Sequence, residues 1–214
     1  MAKVPGLEPV KSRLQPALTA AQATDLYRCF LLDRLDALAA LDGVHGLVAF
    51  TPPAAASAMR ALVPAGLGLR PQRGGDLGER LSNLLTDLLA AGHPAALAID
   101  SDSPTLPMAY VAEAARVLAE DQADVAVGPC DDGGYYLIGL RSPHPALFRG
   151  VPWSTGAVLG TTLEAAAALG LRVHRLEGWF DVDTERDLRR LHTEMQARGA
   201  GPRRTYRFVA DLYR

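Results

Sequence analysis

Cysteine is scarce in this chain, two among 214 residues, Cys29 and Cys130. One pair cannot form the dense cross-linking that holds small secreted domains together. Excess charge of one sign is also lacking: 22 Lys and Arg stand against 24 Asp and Glu, a formal net charge of −2. That balance argues against a nucleic-acid binder relying on a broad basic face. No apolar run approaches the ~18–20 residues that span a bilayer, and the opening MAKVPGLEPVKSRL has no apolar signal-peptide core. The dinucleotide spacing GxGxxG, a phosphate-loop lysine and a GxSxG elbow are all missing. His45, His93, His144, His174 and His192 show no zinc-ligand spacing, and His45 and His174 fall within strand-like runs. Cys130 has no paired histidine to make it a nucleophile.

What remains is a chain with 49% hydrophobic residues, enough to bury a core without staples and too apolar for disorder. The expectation is one soluble, cytoplasmic α/β domain. Apolar periodicity alternates between short strand-like and longer helical runs. A helix is predicted after Pro16, with Thr19 as N-cap and Tyr27, Leu31, Leu35 and Leu38 along one side. Strands are predicted over 44–50, 66–70, 95–99, 124–128, 135–140 and 171–176. Helices are predicted over 54–63, from Asp76, over 108–120, near 156–169, and after Thr184 to about Arg198. Strands alternating with helices imply a mostly parallel sheet with helices on both faces. The stretch 199–214, basic and aromatic in alternation, reads either as a docking helix at a homodimer contact or as a loosely packed terminus.

In open α/β sheets ligands bind beyond the carboxyl ends of strands, and here those ends are acidic. The run 95–99 stops at Asp100-Ser-Asp102, the run 124–128 at Pro129-Cys-Asp131-Asp132-Gly133-Gly134, and the run 171–176 is followed by Asp181-Val-Asp183. Clustered carboxylates are costly unless a cation neutralises them, and Mg²⁺ takes one or two carboxylates together with substrate phosphates. Asp100 and Asp102 therefore fit a metal held against a diphosphate, and equally fit an Asx-turn with a cap before the next helix. Asp183 fits the same metal, and Asp183 or Thr184 fits an N-cap. Asp132-Gly133-Gly134 fits either an acceptor loop or a plain hairpin. Gly74-Gly75-Asp76 with Arg80 opens a helix whose N–H groups suit an anion or a ribose. Lys3, Lys11 and Arg13, interleaved with Pro5, Gly6 and Pro9, reach over a diphosphate or form a solvated arm. Trp153 contacts an acceptor or packs.

The ordered motifs Ala2-Lys3…Val10-Lys-Ser-Arg-Leu14, Asp76-Leu-Gly-Glu-Arg80 and Asp100-Ser-Asp-Ser-Pro104 are followed by Gly128-Pro-Cys-Asp-Asp-Gly-Gly-Tyr135-Tyr-Leu-Ile-Gly139, Trp153-Ser-Thr155 and Asp181-Val-Asp-Thr184. Together they resemble the bacterial glycosyltransferase-like family often called radical-SAM/selenodomain-associated transferases, among the nucleotide-diphospho-sugar transferases of GT-A fold. The resemblance runs to about Leu191. More distantly the chain is similar to 2-phospho-L-lactate and molybdenum-cofactor guanylyltransferases. The resemblance implies a GT-A-like domain over 1–198 and a tail over 199–214. It implies Lys11 and Arg13 on nucleotide phosphates, Asp102 with Asp100 and Asp183 on the metal, and Asp132, Gly133 and Gly134 on the acceptor side. Family members begin with an apolar strand just before the Ala-Lys segment, and this sequence opens at Met1-Ala2-Lys3, so the first strand is expected to be missing.

The resulting expectation is a Mg²⁺- or Mn²⁺-dependent transferase that moves a sugar from a nucleotide-sugar to a small-molecule acceptor, with Asp132 as base. Lys3, Gly75, Asp76 and Arg80 complete the nucleotide side and Trp153 the acceptor side. A nucleotidyltransferase acting on an NTP and a phosphorylated small molecule is the alternative. A nucleotide-binding module without catalysis is a third.

Overall fold

The first strand is two residues long and lies at the Ala2-Lys3 segment itself, not before it. In the computed structural model, which describes residues 1–15 and 17–214, Ala2–Lys3 is β1 and pairs in parallel with β2 (Leu47–Thr51), Ala2 against Phe50 and Lys3 against Thr51. Val4 N extends the pairing to Thr51 O at 2.9 Å, and Ala2 and Val4 are buried among Leu31, Leu35, Phe50 and Met59. Pro16 lies outside the described residues.

The chain divides into two units. The first gathers Met1–Pro71, Ser101–Leu106 and Asp181–Arg214. Its sheet runs β1-β2-β3 in parallel, β3 being Gly68–Pro71. Its first helices are α1 (Ala20–Ala39) and the short α2 (Ala56–Arg60). Thr19 caps α1 in a reciprocal box with Gln22, so the predicted start is right for the predicted reason.

The second unit, Gln72–Asp100 and Pro107–Phe180, holds α3 (Leu77–Ala90), β4 (Ala96–Ile99), α4 (Met108–Ala119), β5 (Val125–Pro129), β6 (Tyr135–Leu140), α5 (Val158–Ala168) and β7 (Val173–Arg175). Its sheet order is β4-β6-β5-β7. β6 runs antiparallel to both neighbours, while β5 and β7 are parallel. The reversal comes from a tight turn: Cys130 N donates to Gly134 O at 3.0 Å and Gly133 N to Cys130 O at 3.2 Å. Among the described residues, three of the five strand pairings in the two sheets are thus parallel. Val125, Val127, Leu137, Ile138, Val117 and Leu118 fill this unit's core.

The chain returns to the first unit in α6 (Glu185–Arg198) and α7 (Arg203–Leu212). The basic and aromatic tail is therefore a helix of that unit and packs against α1. Arg204 N and Thr205 N, at the start of α7, donate to the Asp33 carboxylate at 3.1 and 2.8 Å, which satisfies two otherwise orphaned amides. Among the described residues no helix is long and apolar enough to cross a membrane.

At the β5–β6 turn Gly133 has φ +86°, and a Cβ there would lie 2.2 Å from the Gly156 carbonyl oxygen. Gly133→Ala combines left-handed strain with a backbone clash, and about 2–3 kcal/mol of stability is expected to be lost. Urea unfolding measures this, and an alanine variant as stable as the parent would mean that the turn relaxes freely.

Candidate functional site

The first unit brings four of the predicted residues together. Asp102 follows directly on Ser101 in the segment that leaves β4, and Asp183 lies just before α6. The capping roles that competed for these acids go to others. Thr184 caps α6 in a box with Asp187, and α4 has Pro107 at its N-cap position with no side-chain cap. Both carboxylates are thereby left for another partner, and that partner is Lys11. Its Nζ stands 2.5 Å from Asp102 Oδ1 and 2.7 Å from Asp183 Oδ1. Val182 N donates to Asp102 O at 3.0 Å, so the two acidic segments are also joined through backbone.

Lys11 is set unusually. Its side chain is 3% exposed, while those of Asp102 and Asp183 are 36% and 37% exposed. Its Nζ also lies 5.9 Å from the Phe30 ring centre, within cation–π range. Its backbone is left-handed, φ 50° and ψ 36°, a conformation that costs roughly 1–2 kcal/mol for a residue with a Cβ. Burial works to discharge the amine, but the neighbouring Asp102 and Asp183 charges outweigh it and hold the pKa above the ordinary lysine value. One cation that these clustered acids face is thus the Lys11 ammonium. Arg13 stands outside this knot, exposed, with Nη1 3.5 Å from Asp183 Oδ2.

Tyr27 belongs to the same cluster, although its place on the apolar side of α1 marks it only as core. A buried phenol needs a partner for its hydroxyl. Here Oη accepts from Lys3 N at 2.9 Å and lies 3.0 Å from Ser101 Oγ, next to Asp102. Desolvation first, and the Asp102 charge second, push its pKa up to about 12. A raised folded pKa means that its contribution is intact below the unfolded value of ~10 and is lost as the pH climbs towards the folded one. Tyr27→Phe should therefore remove a slope of about 1.4 kcal/mol per pH unit between those limits. Urea midpoints against pH for the two proteins test this, and parallel curves would show that Tyr27 does not titrate there.

The remaining predicted residues have local roles. Lys3 Nζ donates to Pro9 O at 3.4 Å and closes the Pro5–Glu8 turn. In the second unit Asp76 Oδ1 accepts from Glu79 N at 2.8 Å and caps α3, Gly75 N donates to Glu79 Oε2 at 2.7 Å, and Arg80 Nε donates to Gly74 O at 3.1 Å. Asp100 lies at the end of β4, with its N donating to Tyr136 O at 2.9 Å. Asp132 is exposed on the β5–β6 turn, where its Oδ1 accepts from Gly134 N at 2.8 Å. Trp153 meets Tyr135 edge-on at 6.4 Å and lies against Gly78.

A family model described as an uncharacterized protein conserved in bacteria (DUF2064) matches residues 34–155. Among solved structures, a Desulfovibrio desulfuricans G20 protein provisionally described as a nucleotide-diphospho-sugar transferase is similar at 31% identity and a TM-score of 0.90, over 98% of this chain and 91% of that one. CMP:2-keto-3-deoxy-manno-octonic acid synthetase, solved with CTP, shares 15% identity at TM-score 0.53, over 92% and 98%. Rv0371c of Mycobacterium tuberculosis H37Rv shares 19% at 0.50, over 89% and 95%. These last two show likeness of fold. No curated protein matches.

Proposed function

Because the chain belongs to the DUF2064 family of bacterial proteins and has a nucleotide-diphospho-sugar transferase-like fold, we propose that it is a metal-dependent transferase acting on a nucleotide-activated donor, with Lys11, Arg13, Asp102 and Asp183 binding the donor's phosphates. The observation that carries this reading is the convergence of Asp102 and Asp183 on one buried ammonium. Two carboxylates that already face one positive centre, each more than a third exposed, are a donor set that Mg²⁺ or Mn²⁺ accepts alongside phosphate oxygens. Bound there, the ion would supply Lewis-acid stabilisation of the departing diphosphate.

The chain's own residues supply the rest. Lys11, held charged, positions the two acids. Preorganised positive charge near a leaving group favours the transition state because it needs no rearrangement at the moment of bond breaking. Arg13, exposed and at the edge of its reach to Asp183, has a planar fork that suits phosphate oxygens better than a single long contact. Tyr27 fixes Ser101 and so the approach of Asp102. Asp132, on its exposed turn, is the proposed acceptor of the hydroxyl proton, with Gly133, Gly134 and Trp153 on the acceptor side. Lys3, Gly75, Asp76, Arg80 and Asp100 are the proposed donor-side positions.

Thermal-shift screening of nucleotide-sugars and nucleoside triphosphates with Mn²⁺ tests the reading, since a ligand selective for the folded state raises the midpoint by mass action. A nucleotide that stabilises only with Mn²⁺, and then releases nucleoside diphosphate in the presence of acceptor, is the expected result. Pyrophosphate release from a triphosphate would instead select nucleotidyl transfer. Tight binding without turnover would leave a binding module. A full set of nucleotides with no Mn²⁺-dependent shift would overturn the proposal.

A further inference from the structure

The segment Ser101–Leu106 that carries Asp102 also contributes to the wall of a cavity of about 620 Å³ within the first unit, together with the second half of α1, the end of α6 and the start of α7. Three acids line it, and each is already engaged. Asp33 and Asp36 hold Arg204 Nη1 at 3.2 and 2.6 Å, and Glu194 holds Arg198 Nη2 at 3.2 Å. Arg203 and Arg207 line the same cavity, and among the described residues neither has an ion pair. They stand four residues apart on α7, so their side chains share one face and repel each other. Thr105, in the same wall, has a hydroxyl that finds no hydrogen-bond partner among the described residues. Arg34 closes the floor, with Nη1 donating to Leu106 O at 2.8 Å.

We infer that this cavity is a binding site for a phosphorylated small molecule, separate from the Lys11–Asp102–Asp183 cluster. Two neighbouring guanidinium forks without counter-ions suit a tetrahedral dianion, which each fork can bind through two parallel N–H groups. The volume lies within the ~300–1,000 Å³ common for small-molecule sites and exceeds what one inorganic phosphate fills. The ligand is therefore a phosphate carried on an organic group, the phosphate on Arg203 and Arg207 and the remainder between α1 and residues 104–106. This inference does not rest on the transferase reading, because none of the residues that define the anion site belongs to that cluster.

Calorimetric titration of the full chain with inorganic phosphate, and then with a sugar monophosphate, in metal-free buffer at low ionic strength tests it. Without metal the Lys11 cluster sets the carboxylates of Asp102 and Asp183 against Lys11 and Arg13, which leaves no net positive charge for a dianion. Binding is expected for both probes, tighter for the sugar phosphate. It should fall about tenfold or more in Arg203→Ser/Arg207→Ser, be partly retained in Arg203→Lys/Arg207→Lys, and be unchanged in Asp102→Asn. Affinity should also drop as salt is added. Both arginines are exposed on a helix held by other contacts, so the variants are expected to fold, and circular dichroism checks this. Equal phosphate affinity in the serine variant and the parent, absence of binding in the parent, or loss of binding in Asp102→Asn would each overturn the inference.

Discussion

Lys11→Met is expected to cost about 3 kcal/mol of folding stability, at the lower end of the ~3–5 kcal/mol seen when one partner of a buried ion pair is removed. The full value does not apply, because the stranded carboxylates of Asp102 and Asp183 are partly hydrated and water screens their repulsion. Methionine keeps the volume against Phe30, so the loss reports charge and not a void. Two companion measurements separate causes. Adding Asp183→Asn to Lys11→Met should recover part of the loss, since one of the two like charges is gone. Mn²⁺ should raise the urea midpoint more in Lys11→Met than in the parent, because the divalent ion then meets two carboxylates without a competing ammonium. A methionine variant as stable as the parent would mean that the acids do not need Lys11.

Asp102→Asn should leave the fold nearly intact and weaken Mn²⁺-dependent nucleotide binding by at least about a hundredfold, or ~2.7 kcal/mol. The fold survives because Lys11 keeps its contact with Asp183 at 2.7 Å and Val182 N keeps its bond to the Asp102 carbonyl, which the substitution does not touch. Binding suffers because an amide oxygen is a neutral ligand where a hard cation wants a carboxylate. Calorimetry with and without Mn²⁺ makes the comparison. Identical affinities in the two proteins would take Asp102 out of the site, and equal losses with and without Mn²⁺ would take the metal out of the explanation.

The contrast between Asp102 and Asp76 shows how far residue patterns carry. Both precede helices, both sit among turn-forming residues, and both fit an N-cap or a ligand-binding role in the sequence. Asp76 caps α3, and Asp102 does not cap α4, where Pro107 takes the N-cap position. Asp183 and Thr184 present the same ambiguity one residue apart, and it is resolved by Thr184 pairing with Asp187 in the helix cap. Once the caps are assigned, the two unassigned acids are the ones on Lys11. Tyr27 was hidden for a related reason. Helical spacing placed its ring correctly in the core, but spacing carries no information about what the hydroxyl meets.

The amino-acid order alone determined most of the helices and strands and their approximate limits, β1 and α7 excepted, because apolar spacing, caps and breakers act within a few residues of one another along the chain. It also determined that acids would follow strand ends. Tertiary structure alone decided that Lys11 would stand between Asp102 and Asp183, the latter 172 residues away, and that β6 would reverse direction. It likewise decided that the C-terminal helix would dock its first amides on Asp33. Such contacts act through space across chain segments whose approach is set by packing, and no local periodicity records them.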